Sequence, residues 1–198
     1  NHIWDKKDFV PLLDDIPNLI RPANYPPGNP GRGWAVQSTP AGIPVGVLNL
    51  QGQVFMAATD SPFRVGDACL EEMRAACPEL KVVVIDIHAE ATSEKQATGW
   101  WFDGRASLVI GTHTHVPTAD ARVLPKGTAY QGDAGMTGAY EGIIGFDPKN
   151  ILERFRFQTP RGMETATRDV RLCGAVVDVD EATGRARSIV PIQEKVGT

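Results

Sequence analysis

Ser107-Leu-Val-Ile-Gly-Thr-His-Thr-His115 is the stretch on which the reading of this chain turns. A short apolar run ends at Gly111, and two imidazoles follow with one residue between them. In extended backbone, side chains two apart point to the same face. That pattern predicts His113 and His115 side by side just past a buried strand, which is half of a metal site. The 198-residue chain has four histidines. The other two, His2 and His88, also fall at predicted loop starts or strand ends.

Upstream, Lys81-Val-Val-Val-Ile-Asp-Ile87 is a near-continuous apolar run of strand length, suited to a strand covered on both faces. His88 follows it directly. Residues 89 to 102 read as a helix, Asp103-Gly104 as a turn and 106 to 110 as the next buried strand. A strand–helix–strand unit of this kind implies an α/β fold with a right-handed crossover. Ligands in such sheets gather at the carboxyl ends of the strands. His88 and His113 both lie there, and adjacent strands are about 4.8 Å apart, so the two rings can converge.

The rest of the chain frames this unit. Residues 6 to 14 suggest a short helix. The Pro-, Gly- and Asn-rich stretch from 18 to 39 excludes a regular helix. Its apolar anchors, Leu19, Ile20, Tyr25 and Trp34, suggest an ordered loop packed beside a site. Residues 43 to 50 read as a strand paired with 53 to 57 across the Gln51-Gly52 turn. Residues 64 to 76 carry a helical pattern stopped by Pro78. Residues 128 to 131 suggest a short strand before the Gly-rich loop 132 to 138. Pro148 to Phe155 reads as a short helix capped by Asp147. Residues 171 to 180 and 185 to 194 form a hairpin across Glu181-Ala-Thr-Gly184.

Composition bounds the function. The chain is 42% hydrophobic and 22% charged, as in a globular domain, and its length fits one domain over 1–198. A net charge of −4 argues against a stable nucleic-acid complex built on bulk positive charge, though not against a small nucleotide substrate. No apolar run approaches the roughly 18–20 residues of a membrane span. Three cysteines without a C-x-x-C pair support neither a disulfide framework nor a thiolate zinc site. Reduced thiols suggest a cytoplasmic protein. The reading leaves room for a homo-oligomer.

These residues together carry a resemblance. Gly111-Thr-His-Thr-His115 resembles the G-H-x-H motif of calcineurin-like metallophosphoesterases, and Asn1-His2 resembles the N-H pair of their G-N-H-[D/E] motif. More narrowly, four segments are similar to the bacterial YmdB-type branch, which hydrolyses 2′,3′-cyclic nucleotides. They are Asn1 to Lys7, Arg21-Pro-Ala-Asn-Tyr-Pro26, His88-Ala-Glu-Ala-Thr-Ser-Glu-Lys95 and Gly111 to Asp120. The loop Gly132-Asp-Ala-Gly-Met-Thr-Gly138 fits as well. The resemblance implies an α-β-β-α sandwich, two packed mixed sheets flanked by helices.

It also implies two metal ions, Fe or Mn with Zn as a third option, held by Asn1, His88, His113 and His115. His115 would serve the second ion, and His2 would be the catalytic acid. Family motifs that supply carboxylate ligands normally precede the N-H pair. The resemblance therefore leads us to expect that roughly 65 residues, about two βαβ units, belong upstream, so that the N-terminal strands are missing here. Three other functions remain open on the same residues: a phosphomonoesterase or phosphoprotein phosphatase, a regulatory metal-binding protein without turnover, and a structural protein whose histidines are ordinary loop residues.

Overall fold

A computed structural model describes residues 2–196. Its centre is a six-stranded sheet in the order β1-β2-β3-β4-β6-β5. β1 (Trp34–Ser38) runs antiparallel to β2 (Pro44–Gln51). β2, β3 (Val82–His88), β4 (Leu108–Thr112) and β6 (Ala129–Gln131) are mutually parallel, and β5 (Arg122–Val123) closes the far edge antiparallel. Helices α2 (Pro62–Ala76) and α3 (Thr92–Trp101) supply the crossovers into β3 and β4. The short α1 (Leu12–Asp15) precedes the sheet.

β3 shows how the sequence builds this. Val83, Ile85 and Ile87 are fully buried in one core with Leu70 and Met73 of α2 and with Phe102. Burial of each side chain contributes about 1.5–3 kcal/mol. The alternate residues, Val82, Val84, Asp86 and His88, face the other way and are only half-buried. A second sheet covers part of that opposite face. It consists of β7 (Gly138–Ala139), β8 (Val170–Val179) and β9 (Ala186–Lys195), antiparallel throughout. Val177, Ala186 and Ile189 of this sheet pack with Val84, Leu108, Ile110 and Ala129 of the first. The expectation that β3 is covered on both faces therefore holds for its first half. Its carboxyl end, with Asp86 and His88, lies outside that apolar cluster.

The mixed α/β architecture, with packed sheets and flanking helices, is the expected one. Local expectations were met less evenly. α2 starts as capping predicts: Ser61 accepts from Arg64 N and Pro62 takes the first turn. α4 (Pro148–Phe157) has Asp147 accepting from Lys149 N. The 181–184 turn joins β8 to β9. Residues 53 to 57, however, form no strand. Their backbone N–H groups at Gln53 and Val54 bind the Glu94 carboxylate of α3, at 2.8 and 3.2 Å, instead of a ladder. The antiparallel partner of β2 is β1, which lies within the stretch read as loop. All three cysteines are free, as expected. Among the described residues, no helix is long and apolar enough to cross a membrane.

Candidate metal centre

The in-register pairing of β2, β3 and β4 lines up two rows of side chains at their carboxyl ends. Asn49, Asp86 and Ile110 form one row, and Gln51, His88 and Thr112 the next. Residues paired across a sheet face the same side. Asp86 lies two residues before His88 and so shares its face. Its two oxygens accept from Asn49 Nδ2 (2.7 Å) and Thr112 Oγ1 (2.8 Å). The Thr112 oxygen also lies 3.0 Å from His88 Nδ1.

The proton order follows from donor counting. Thr112 has one hydroxyl proton, and it goes to Asp86. Its oxygen must then accept from His88, so His88 carries its proton on Nδ1 and leaves Nε2 bare. Burial pushes His88 down to about 4, and charge on the neighbouring His113 and His2 acts in the same direction. The ring is therefore neutral near pH 7. Burial raises the Asp86 carboxyl above its ordinary value, while its hydrogen bonds to Thr112 and Asn49 oppose that shift.

His113 meets this row edge-on. Its Nδ1 lies 3.1 Å from His88 Nε2, and its Nε2 lies 3.1 Å from Glu90 Oε2. The Glu90 carboxylate places the His113 proton on Nε2. With both rings neutral, two bare nitrogens, His88 Nε2 and His113 Nδ1, face each other, an arrangement that would suit two ligands of a single ion. With His113 protonated on both nitrogens, its Nδ1–H donates to His88 Nε2 instead.

His115 is placed differently. His113 and His115 have φ of 103° and 66°, so the backbone there is left-handed rather than extended. The alternation expected to put both rings on one face does not operate. His115 Nδ1 lies 3.0 Å from the carbonyl oxygen of Ile144. A carbonyl only accepts, so here too the proton sits on Nδ1 and Nε2 is bare. Among the described residues, no three His, Cys, Asp or Glu side chains converge as a ready-made cage. The structure brings together His88 and His113, with His115 following on the same loop. Asn1 lies outside the described residues. His2 is exposed, in a 3-10 turn (His2–Trp4), with Nδ1 2.9 Å from Asp5 Oδ2.

Several residues at the site gave little signal in the sequence. Thr112 and Asn49 matter because strand register sets them beside Asp86, and register is invisible before the sheet is known. Glu90 was visible as a neighbour of His88, but its partner proves to be His113. Arg21 donates to the carbonyls of Pro22, Ala23 and Asn29 and orders its loop. The ordered 18–39 loop does reach the site: Tyr25 donates to the buried Gln51 (2.9 Å) and packs at a tilt against Trp4. A cleft of about 200 Å³ lies beside Asp86 and Asn49, lined also by Val47, Ile3 and Ile20.

The chain has the phosphatase fold, a largely parallel sheet with His88 and His113 gathered at its carboxyl end. The chain belongs to the YmdB-like family, whose model matches residues 1–192. It is 49% identical to the 2′,3′-cyclic-nucleotide 2′-phosphodiesterase of Bacillus subtilis, over 96% of this chain and 70% of that protein. A crystal structure of a hypothetical protein from Thermus thermophilus superposes with a TM-score of 0.90 at 42% identity, covering 99% of this chain and 75% of that one. A novel phosphatase from Mycoplasma pneumoniae gives 0.86 at 30% identity, covering 98% and 70%.

Proposed function

We propose that the protein is a metal-dependent phosphodiesterase that hydrolyses 2′,3′-cyclic nucleotides to phosphomonoesters. The observation that carries this reading is the proton order of the histidines. His88, His113 and His115 each set one ring nitrogen on an oxygen of Thr112, Glu90 or Ile144, which in the neutral ring leaves the other nitrogen bare. That is the second-sphere arrangement ligand imidazoles need. The name of the Bacillus relative supports the substrate class.

His88 and His113 would hold one ion together with Asn1, and His115 would serve the second. The donor set of imidazole nitrogens with oxygens suits Mn, Fe or Zn. Bound metal supplies positive charge against the phosphate oxygens and a hydroxide at neutral pH.

The chain's own residues do the rest. Asp86 and Thr112 fix the His88 tautomer, and Glu90 fixes that of His113. His2, with Nδ1–H donated to Asp5, would act as the imidazolium, giving its Nε2 proton to the departing ribose oxygen and ending neutral. That oxygen is a poor leaving group as an alkoxide. The cleft beside Asp86 would take part of a small nucleotide.

The test is phosphomonoester release from 2′,3′-cyclic AMP by the full-length protein with Mn²⁺. His2→Ala should lower turnover while leaving metal content unchanged, and equal turnover would remove His2 from the reaction. A second reading, a phosphomonoesterase, is favoured by the description of the Mycoplasma structure as a phosphatase. Faster hydrolysis of a nucleoside monophosphate than of the cyclic diester would select it.

A further inference from the structure

We infer that Asp133 is a positioning residue for the histidine centre, with Lys95 as its counter-charge. This rests on the reading that His113 and His115 are metal ligands. Thr114, the residue between them, ties both to the carboxylate. Both neighbours adopt left-handed backbone, which costs roughly 1–3 kcal/mol for a non-glycine residue and persists only where surrounding contacts impose it.

One carboxylate imposes it here. Asp133 Oδ2 accepts from Thr114 N (3.0 Å), from Thr114 Oγ1 (2.7 Å) and from Lys95 Nζ (2.7 Å), and Oδ1 accepts from Gly135 N (2.8 Å). The Asp133 and Lys95 side chains are 1% and 3% exposed. Backbone bonds carry the same docking along the loop. Ala134 N donates to Gly111 O (2.8 Å), Met136 N to His115 O (3.0 Å) and Thr118 N to the Asp133 carbonyl (3.1 Å).

The arrangement does more than fill a core. A buried ion pair gives little net stability over apolar residues of the same volume, because desolvation offsets the attraction. Here the carboxylate spends two of its bonds on Thr114, and Thr114 has one metal-site histidine on each side. Lys95 reaches Asp133 from α3 by passing Gly111, where an added Cβ would meet both its stem and the Gly132 carbonyl. The Gly111-Thr-His-Thr-His115 motif and the 132–138 loop therefore work as one unit, joined at Asp133.

The experiment uses two substitutions of nearly equal shape. Thr114→Val removes the hydroxyl that binds Asp133, and Thr114→Ser keeps it. Mn²⁺ affinity of the full-length protein, read by electron paramagnetic resonance of free Mn²⁺, should fall about tenfold or more in Thr114→Val. Thr114→Ser should stay close to wild type, and both should keep wild-type circular dichroism. A folded Thr114→Val that binds Mn²⁺ as wild type does, or a Thr114→Ser equally impaired, overturns the inference.

The paired variant Lys95→Met/Asp133→Leu separates positioning from stability. It should keep wild-type circular dichroism, at a melting temperature lowered by the unpaired Thr114 and Gly135 N–H groups, yet bind Mn²⁺ weakly, whereas wild-type binding would assign the pair to the core alone. In metal-free protein, ¹H–¹⁵N imidazole signals of His113 and His115 should shift in Thr114→Val and those of His2 should not. This readout stands even if wild-type protein binds no Mn²⁺, a result that would defeat the metal reading by itself.

Discussion

Replacing Thr112 by valine keeps the volume and removes one oxygen. That oxygen accepts from His88 Nδ1 at 3.0 Å and donates to Asp86 Oδ1 at 2.8 Å, so both bonds vanish together. The His88 N–H is left without a partner in a half-buried position, and Asp86 keeps only the Asn49 bond. An unsatisfied buried donor costs about 1–3 kcal/mol. The ring also loses what fixes its tautomer, and loss of such an outer partner lowers metal affinity about 10- to 100-fold. We expect Thr112→Val to lose stability in that range by urea titration and to weaken Mn²⁺ binding by isothermal titration calorimetry to a similar degree. Thr112→Ser should restore both. A folded Thr112→Val protein with wild-type affinity would show that the Asp86–Thr112–His88 chain does not orient the ring, and the proton order argued for the centre would fall with it.

Other outcomes follow from neighbouring features. Gly111→Ala places a methyl against the Gly132 carbonyl, a backbone atom that cannot rotate away, so soluble yield and metal content should both drop. Cys69 is buried, and burial pushes its thiol up to about 11. It should resist iodoacetamide at pH 8 in native protein and react once urea is added, as read by mass spectrometry. Burial pushes the Asp133 carboxyl up, but hydrogen bonds from Lys95, Thr114 and Gly135 outweigh it and hold the group below its ordinary value of 3.8. Its stabilising contribution is thus complete above about pH 4 and lost as pH falls below that. Urea midpoints taken from pH 6 to pH 3 should show that acid loss in wild type and less of it in Lys95→Met/Asp133→Leu.

Much of this could be read from the chain because the central strands are short apolar runs with clear ends. The runs before His88 and before Gly111 pointed to the parallel sheet and to the end of it where His88 and His113 meet. The capping residue Asp147 marked the start of α4, whereas α2, expected from residue 64, begins at Pro62 behind its Ser61 cap. Long-range facts were not legible. β1 hides in a Gly/Pro-rich stretch because its five residues gain strand character only by pairing with β2. Residues 53 to 57 look extended but turn, because Glu94, some forty positions later, takes their N–H groups. The left-handed backbone at His113 and His115 is imposed from the 132–138 loop, so the local rule for extended chain misplaced His115. The buried Lys95–Asp133 pair joins residues that nothing local connects.

The most direct test of the account is metal analysis coupled to turnover in one preparation. Full-length protein reconstituted with Mn²⁺ should retain metal and release phosphomonoester from 2′,3′-cyclic AMP. His88→Asn and His113→Asn should each lose bound metal and turnover together while keeping the fold. Undiminished metal content and turnover in both variants would contradict the assignment of the facing histidine pair as the centre of the site.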